Sequence, residues 1–186
     1  REAVPLYTPE AFELVSREWM RIGWNCGYSY RYSWLGRPVV QLPQDMMRFQ
    51  EVLYRHRPDL VIETGVAMGG SLVFTASLLS LLGDGGRVVG VDVEIRAHNR
   101  AAIEAHPLAG QIELIEGDST APETIQRVRD AVRPGERVMV VLDSCHTRAH
   151  VRAELELYAP LVTPGQYLVV EDAVMRDLFD VPRGHP

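Results

Sequence analysis

The strongest chemical signal in this sequence is a set of acids that close two apolar runs late in the chain. Asp143 ends RVMVVLD (137–143), and Glu171-Asp172 ends QYLVVED (166–172). Carboxylates that converge on one cleft repel one another unless a cation sits among them. A hard, all-oxygen set with open positions suits Mg²⁺, with Mn²⁺ or Ca²⁺ as alternatives. His146 follows Asp143 by three residues. All 19 basic residues are Arg, so a lysine base, a Schiff-base lysine and a P-loop lysine are excluded. That leaves His146 as the leading general base, because an ordinary imidazole titrates near pH ~6.5. The competing reading is that these acids only cap helices, with Asp143 or Ser144 capping one that begins near Thr147. His150 shares a helical face with His146, and His-x₃-His can bind zinc. The usual intervening Glu is absent, however, so His150 reads as a supporting or packing residue. Cys145 has no activating partner except the adjacent His146, and His56, His98, His106 and His185 belong to no constellation.

A second group lies at the segment Glu63-Thr64-Gly65-Val66-Ala67-Met68-Gly69-Gly70-Ser71. Glycines between a strand and a helix let a ligand approach the backbone, and the helix start offers free N–H groups. The spacing is GxxxGG, whereas a dinucleotide pyrophosphate prefers GxGxxG. Glu63 would also put negative charge beside a phosphate. An acid before the glycines suits instead a cofactor with an ammonium and a sulfonium, S-adenosylmethionine (SAM). Asp92 closes RVVGVD (87–92), where it could hold ribose hydroxyls, and Asp118-Ser119 after QIELIE (111–116) could meet an adenine edge. The bland alternative for the glycines is a tight connection and nothing more.

These residues need a scaffold that brings strand ends together. Short β-branched runs (59–64, 87–92, 111–116, 137–143, 166–172) alternate with helical stretches (71–82, 96–106, 122–132, 147–161). Strands without clean alternation, separated by helices, predict a doubly wound, mostly parallel α/β sheet covered on both faces. Ligands in such sheets bind at the carboxyl ends of the strands, and an acid ends all five. Upstream, Thr8-Pro9-Glu10 opens a helix running to Arg21 with Gly23 closing it, and a second helix runs from Pro43 to about Arg57. Residues 23–41 read as an irregular aromatic arm, with Tyr28, Tyr30, Tyr32 and Trp34 on one side of an extended segment. The domain division is therefore 1–57, a helical and aromatic arm, and 58–186, a Rossmann-like core.

Composition narrows the class. The 186 residues suffice for one domain with a sizeable core. A formal charge of −6 argues against a nucleic-acid partner, and no apolar run approaches a membrane span. Two cysteines, Cys26 and Cys145, are too few for a disulfide framework and fit a reducing cytoplasm. No signal peptide opens the chain, which begins at Arg1 rather than Met.

Together the segments YSWLGRPVVQLPQDMMRFQEVL, PDLVIETGVAMGGSL, VDVEIRAHNRAAIEAHP, IELIEGDS, VMVVLDSCHTRAHVRAELELYAPLV and YLVVEDAV resemble the cephalosporin hydroxylase / rhamnosyl O-methyltransferase family, from about Tyr28 to Pro182. The resemblance implies a class I methyltransferase fold and SAM- and Mg²⁺-dependent O-methylation of a hydroxyl on a sugar or glycosylated natural product, as in antibiotic biosynthesis. It puts Mg²⁺ at Asp143, Glu171 and Asp172 and the base at His146. It puts SAM along Glu63 to Ser71, at Asp92 and at Asp118-Ser119, and it suggests self-association, since relatives assemble. It also admits a different class of role, a non-methylating partner that binds SAM and metal within a cephalosporin-type hydroxylation or methoxylation system. An NAD(P)-binding domain is a third reading, disfavoured by the glycine spacing. One departure is evident: a full class I sheet has two further strands after the fifth, and this sequence stops at VPRGHP.

Overall fold

A computed structural model describes residues 4–183. The histidine His185 and the outermost residues of both predicted domains lie outside that range. The elements are α1 (Pro9–Asn25), β1 (Tyr32–Trp34), β2 (Arg37–Val39), α2 (Pro43–His56), β3 (Leu60–Thr64), α3 (Gly70–Leu82), β4 (Arg87–Asp92), α4 (Ala97–Glu104), β5 (Ile112–Glu116), α5 (Pro122–Ala131), β6 (Val138–Leu142), α6 (Arg148–Tyr158) and β7 (Leu168–Val170).

Strands β3 to β7 form one sheet in the order β5-β4-β3-β6-β7, every neighbouring pair parallel. The order reverses at β3, so β4 and β6 flank it and their carboxyl ends open a crevice. Thr64 is in register with Val91 on one side and Leu142 on the other, which sets Asp92 and Asp143 on either flank of Gly65. Leu142 in turn pairs with Val170, so Asp143 and Glu171 follow paired residues. All five residues of β3 and all five of β6 are buried, as continuous apolar runs covered on both faces should be. One face packs Leu53, Leu72, Ala76 and Leu79 against Val61 and Val141. The other packs Ile125, Val128 and Tyr158 against Ile62, Val89 and Val140.

The arm is more ordered than its composition suggests. Helix α1 continues through Gly23 to Asn25. Tyr28–Tyr30 form a single 3₁₀ turn, and β1 and β2 pair as an antiparallel hairpin. The four alternating rings therefore do not share one side. Tyr28 packs edge-on against Trp19 and Tyr32, Tyr30 is exposed, and Trp34 turns inward onto Phe74 at 4.9 Å. The reason is tertiary. The hairpin lies on α3, where Trp34 Nε1 donates to Ser77 Oγ at 2.9 Å, and a Cβ at Gly70 would run into the Pro38 carbonyl. This cover explains why α3 is buried on nearly every side. Among the described residues no helix is long and apolar enough to cross a membrane.

Candidate active site

The loop from β6 to α6 carries two of the predicted residues. The Asp143 N–H donates to the Thr64 carbonyl at 2.9 Å, so the loop leaves the sheet pinned to β3. Gly65, at φ +94°, makes that approach possible; a Cβ there would strike the Asp143 carbonyl. Thr147 caps α6, its Oγ1 accepting from the His150 N–H at 3.4 Å. Neither Asp143 nor Ser144 caps that helix, so the capping alternative fails for this pair. Asp172 follows β7 in a left-handed conformation, φ +57°, which Asp tolerates better than most residues.

The structure brings Asp143, His146 and Asp172 together: one ligand atom from each lies within 4.8 Å of the others, the one such group of three among the described residues. His146 Nε2 is 3.1 Å from Asp172 Oδ2. Glu171, predicted with them, falls outside this group and lines a neighbouring cavity with Asp143 and Asp172. Burial is the main cause pushing the Asp143 carboxyl well above the usual range, reinforced by Glu63, Asp172 and Glu171. Glu171 is pushed up to about 7 by burial, then by Asp45 and Asp172. Asp172 is raised by burial against the opposing pull of His146. Acids that resist ionisation together are what a divalent cation would relieve. The carboxylate oxygens are the hard donors that fit Mg²⁺ or Mn²⁺.

Asp143, His146 and Asp172 open into a cavity of about 920 Å³ that also touches Ala67 and Met68 of the glycine loop, with Trp24, Tyr30 and Met175 on its walls. Pockets of this size suit a small molecule. The remaining predicted residues surround the loop in different ways. Glu63, 1% exposed, accepts from the Ser71 hydroxyl, and burial pushes its carboxyl up to about 8. Thr64 is fully buried. Gly69, at φ +78°, precedes α3. Asp92 accepts from the Val66 and Ala67 N–H groups at 2.8 and 3.1 Å, and from Glu94 N–H at 3.1 Å. It holds the loop in shape from the position predicted for ribose contact. Asp118 accepts from the N–H and hydroxyl of Thr120, both at 2.8 Å, which lowers its pKa.

Arg37 and Asn99 beside the site escaped the sequence reading, as did the link of Ser144 to Glu154. Arg37 of β2 donates to the Met68 carbonyl and, at 3.1 Å, to Asn99 Oδ1; Asn99 donates to the Ala67 carbonyl at 3.0 Å. The hairpin and α4 thus clasp the glycine loop from outside. Ser119 Oγ and Ser144 Oγ lie 3.1 and 3.2 Å from His150 Nε2, and Ser144 donates to the buried Glu154 at 2.7 Å. His150 therefore ties the end of β5 to the loop after β6 and supports the site from behind. Cys145 is exposed, its Sγ 3.6 Å from Thr147 Oγ1. The one local hint of the clasp was the Arg between Gly36 and Pro38, a charged residue in an apolar, glycine-rich stretch.

The family model described as Rhamnosyl O-methyltransferase/CmcI matches residues 26–186. A rhamnosyl O-methyltransferase of Mycobacterium leprae is 36% identical over 157 residues, 83% of this chain and 62% of that protein. One of Mycobacterium tuberculosis strain H37Rv is 38% identical over 146 residues, 76% of this chain and 54% of that protein. The chain thus spans less than two thirds of the length of these relatives. Among solved structures, a CmcI structure with Mg and SAM superposes with a TM-score of 0.61 at 23% identity, covering 83% of this chain and 62% of that one. The O-methyltransferase TomG of Streptomyces achromogenes, involved in tomaymycin synthesis and in complex with SAM, gives 0.58 at 22% identity, covering 80% and 63%. At those identities the structures support the α/β fold of class I methyltransferases, while the sequence matches carry the assignment further: the chain belongs to the Rhamnosyl O-methyltransferase/CmcI family.

Proposed function

We propose that this chain is the core of a SAM- and Mg²⁺-dependent O-methyltransferase that acts on a hydroxyl of a sugar or a glycosylated natural product. One observation carries the reading: Asp143, His146 and Asp172 meet in the same 920 Å³ cavity that borders Ala67 and Met68. Support for the sugar comes from the rhamnosyl O-methyltransferases that match more than three quarters of the chain.

SAM supplies an electrophilic methyl group, and a divalent cation supplies Lewis acidity that makes a hydroxyl easier to deprotonate. Asp143, Asp172 and Glu171 would hold the cation. The glycine loop, shaped by Asp92 and clasped by Arg37 and Asn99, would hold the methionine end of SAM, with Glu63, Thr64, Gly65, Gly69 and Ser71 at its base. Asp118 and Ser119 would border its adenosine end. His146 removes the acceptor proton as the oxygen–carbon bond forms and the carbon–sulfur bond breaks, leaving S-adenosylhomocysteine and a methyl ether. Asp172 beside the ring gives the protonated imidazole a counter-ion. Most of the acceleration comes from alignment of acceptor oxygen and methyl carbon in one cavity.

Self-association and a cytoplasmic location belong to the same proposal. The exposed Phe12, Val15, Trp19 and Ile22 of α1 and the two free cysteines support them. The test is to incubate the chain with labelled SAM, MgCl₂ and a panel of rhamnosides and other glycosides. Methyl transfer that stops with EDTA is expected. Binding of both SAM and metal with no transfer to any acceptor favours the non-methylating partner role, and binding of neither overturns the reading.

A further inference from the structure

Glu171 faces a second, largely enclosed cavity of about 10 Å³, room for one water-sized particle. Asp143 and Asp172 line it too. So do three polar residues of the arm with no role so far: Ser29, Gln41 and Asp45. Four carboxylates therefore border a space that admits a single small particle. Among the described residues, none of Asp45, Asp143 and Glu171 lies in an ion pair, and Asp172 pairs only with His146. Asp45 itself is exposed at the rim, on the first turn of α2. Read from sequence, it is an ordinary helix-start acid after Pro43.

An independent observation points to a ligand there. Ser29, in the 3₁₀ turn after α1, is 2% exposed, and its Oγ has no hydrogen-bond partner among the described residues. A buried hydroxyl left unpaired forfeits its hydration without compensation, and such groups call for a bound particle. A divalent ion of the size and hardness of Mg²⁺ gives up its water reluctantly and usually keeps several.

We propose that Asp45 and Ser29 are further members of the divalent-cation site, holding in this cavity a water of the ion's hydration shell. The inference rests on the cation site of the proposed function. The ion is held directly by the strand-end acids, and the arm grips its water. Arm and core are thereby joined through the ion.

The test is calorimetric titration of Mn²⁺ and Mg²⁺ into the chain and its D45N, S29A and D143N variants, with melting curves in EDTA and in MgCl₂. The unmodified chain binds an ion, and D143N abolishes binding. D45N weakens it about tenfold or more, as loss of outer partners does, and S29A weakens it less. In EDTA, D45N melts no lower than the unmodified chain, because one of four repelling acids is gone, while its gain in melting temperature on adding MgCl₂ shrinks. If D45N and S29A bind the ion unchanged while D143N does not, this inference falls and the metal reading stands. If the unmodified chain binds no divalent ion, both fall. Should D45N not fold, S29A carries the same comparison, and unchanged affinity there overturns the proposal.

Discussion

His146 Nε2 lies 3.1 Å from Asp172 Oδ2, joining the loop after β6 to the end of β7. The contact fixes the ring's orientation and sets a carboxylate beside the charge the ring gains on taking a proton. Replacing His146 with Ala should leave the melting temperature within a few degrees and lower kcat by about 10²–10⁴-fold, the usual worth of a positioned base. An unchanged kcat in a folded variant removes His146 from proton transfer.

Metal should stabilise this chain as well as activate it. At a free Mg²⁺ concentration 100 times its Kd, binding to the folded state alone contributes ~2.7 kcal/mol. Thermal melts with and without MgCl₂ read this directly. The rise should vanish in Asp143→Asn, whose carboxyl is held above the usual range by burial and then by the neighbouring acids.

The metal-free protein should lose stability as pH rises. Burial holds the Glu63 carboxyl at about 8, far above its ordinary 4.5. Between those values the folded chain keeps a proton that the unfolded chain has released. Folding is therefore favoured most at the acid side of that window and weakens toward pH 8, by an amount on the order of a few kcal/mol. Melting temperatures in EDTA from pH 5 to 8.5 should fall, and Glu63→Gln, which can still accept from Ser71, should flatten the slope. An identical slope in the variant refutes the assignment to Glu63.

Gly65→Ala should be among the most damaging single changes. The position needs φ +94°, and the new Cβ meets the Asp143 carbonyl. Strain of this kind costs on the order of 3 kcal/mol, or about 10 °C for a chain of this size. Differential scanning fluorimetry measures it, and a melting temperature within two degrees of the parent contradicts the close approach.

Arg37→Ala should weaken SAM binding more than it weakens the fold. Its guanidinium holds the Met68 carbonyl and Asn99 from the outside of the glycine loop. Charge-assisted hydrogen bonds of this type contribute about 1.5–3 kcal/mol, so the Kd for SAM should rise roughly tenfold to a hundredfold. Titration calorimetry with Arg37→Ala and Asn99→Ala checks this, and an unaltered Kd in both rules out the clasp.

The α/β class, the five strands and the acids at their ends follow from local pattern alone. Runs such as DLVIET and RVMVVLD are too continuously apolar for a sheet with one wet face, and parallel pairing forces their carboxyl ends to one side. Once β6 and β7 are neighbours, Asp143 and Asp172 converge, while Glu171 lines the adjoining cavity. What the pattern does not carry is contact between distant segments whose residues look ordinary where they stand. Arg37 reads as a loop arginine until β2 packs on α3 and aims it at Met68. Asp45 reads as a helix-start acid until α2 lies beside β7. The alternating tyrosines suggest a strand until the 3₁₀ turn at Tyr28–Tyr30 leaves Tyr30 exposed and packs Tyr28 edge-on against Tyr32. Glu171 stands next to Asp172 in sequence, yet the left-handed backbone at Asp172 turns only the latter toward His146. Periodicity and strand ends are properties of a short stretch of chain. Which side chain closes a cavity depends on how whole elements dock, and docking is decided by packing across the entire core.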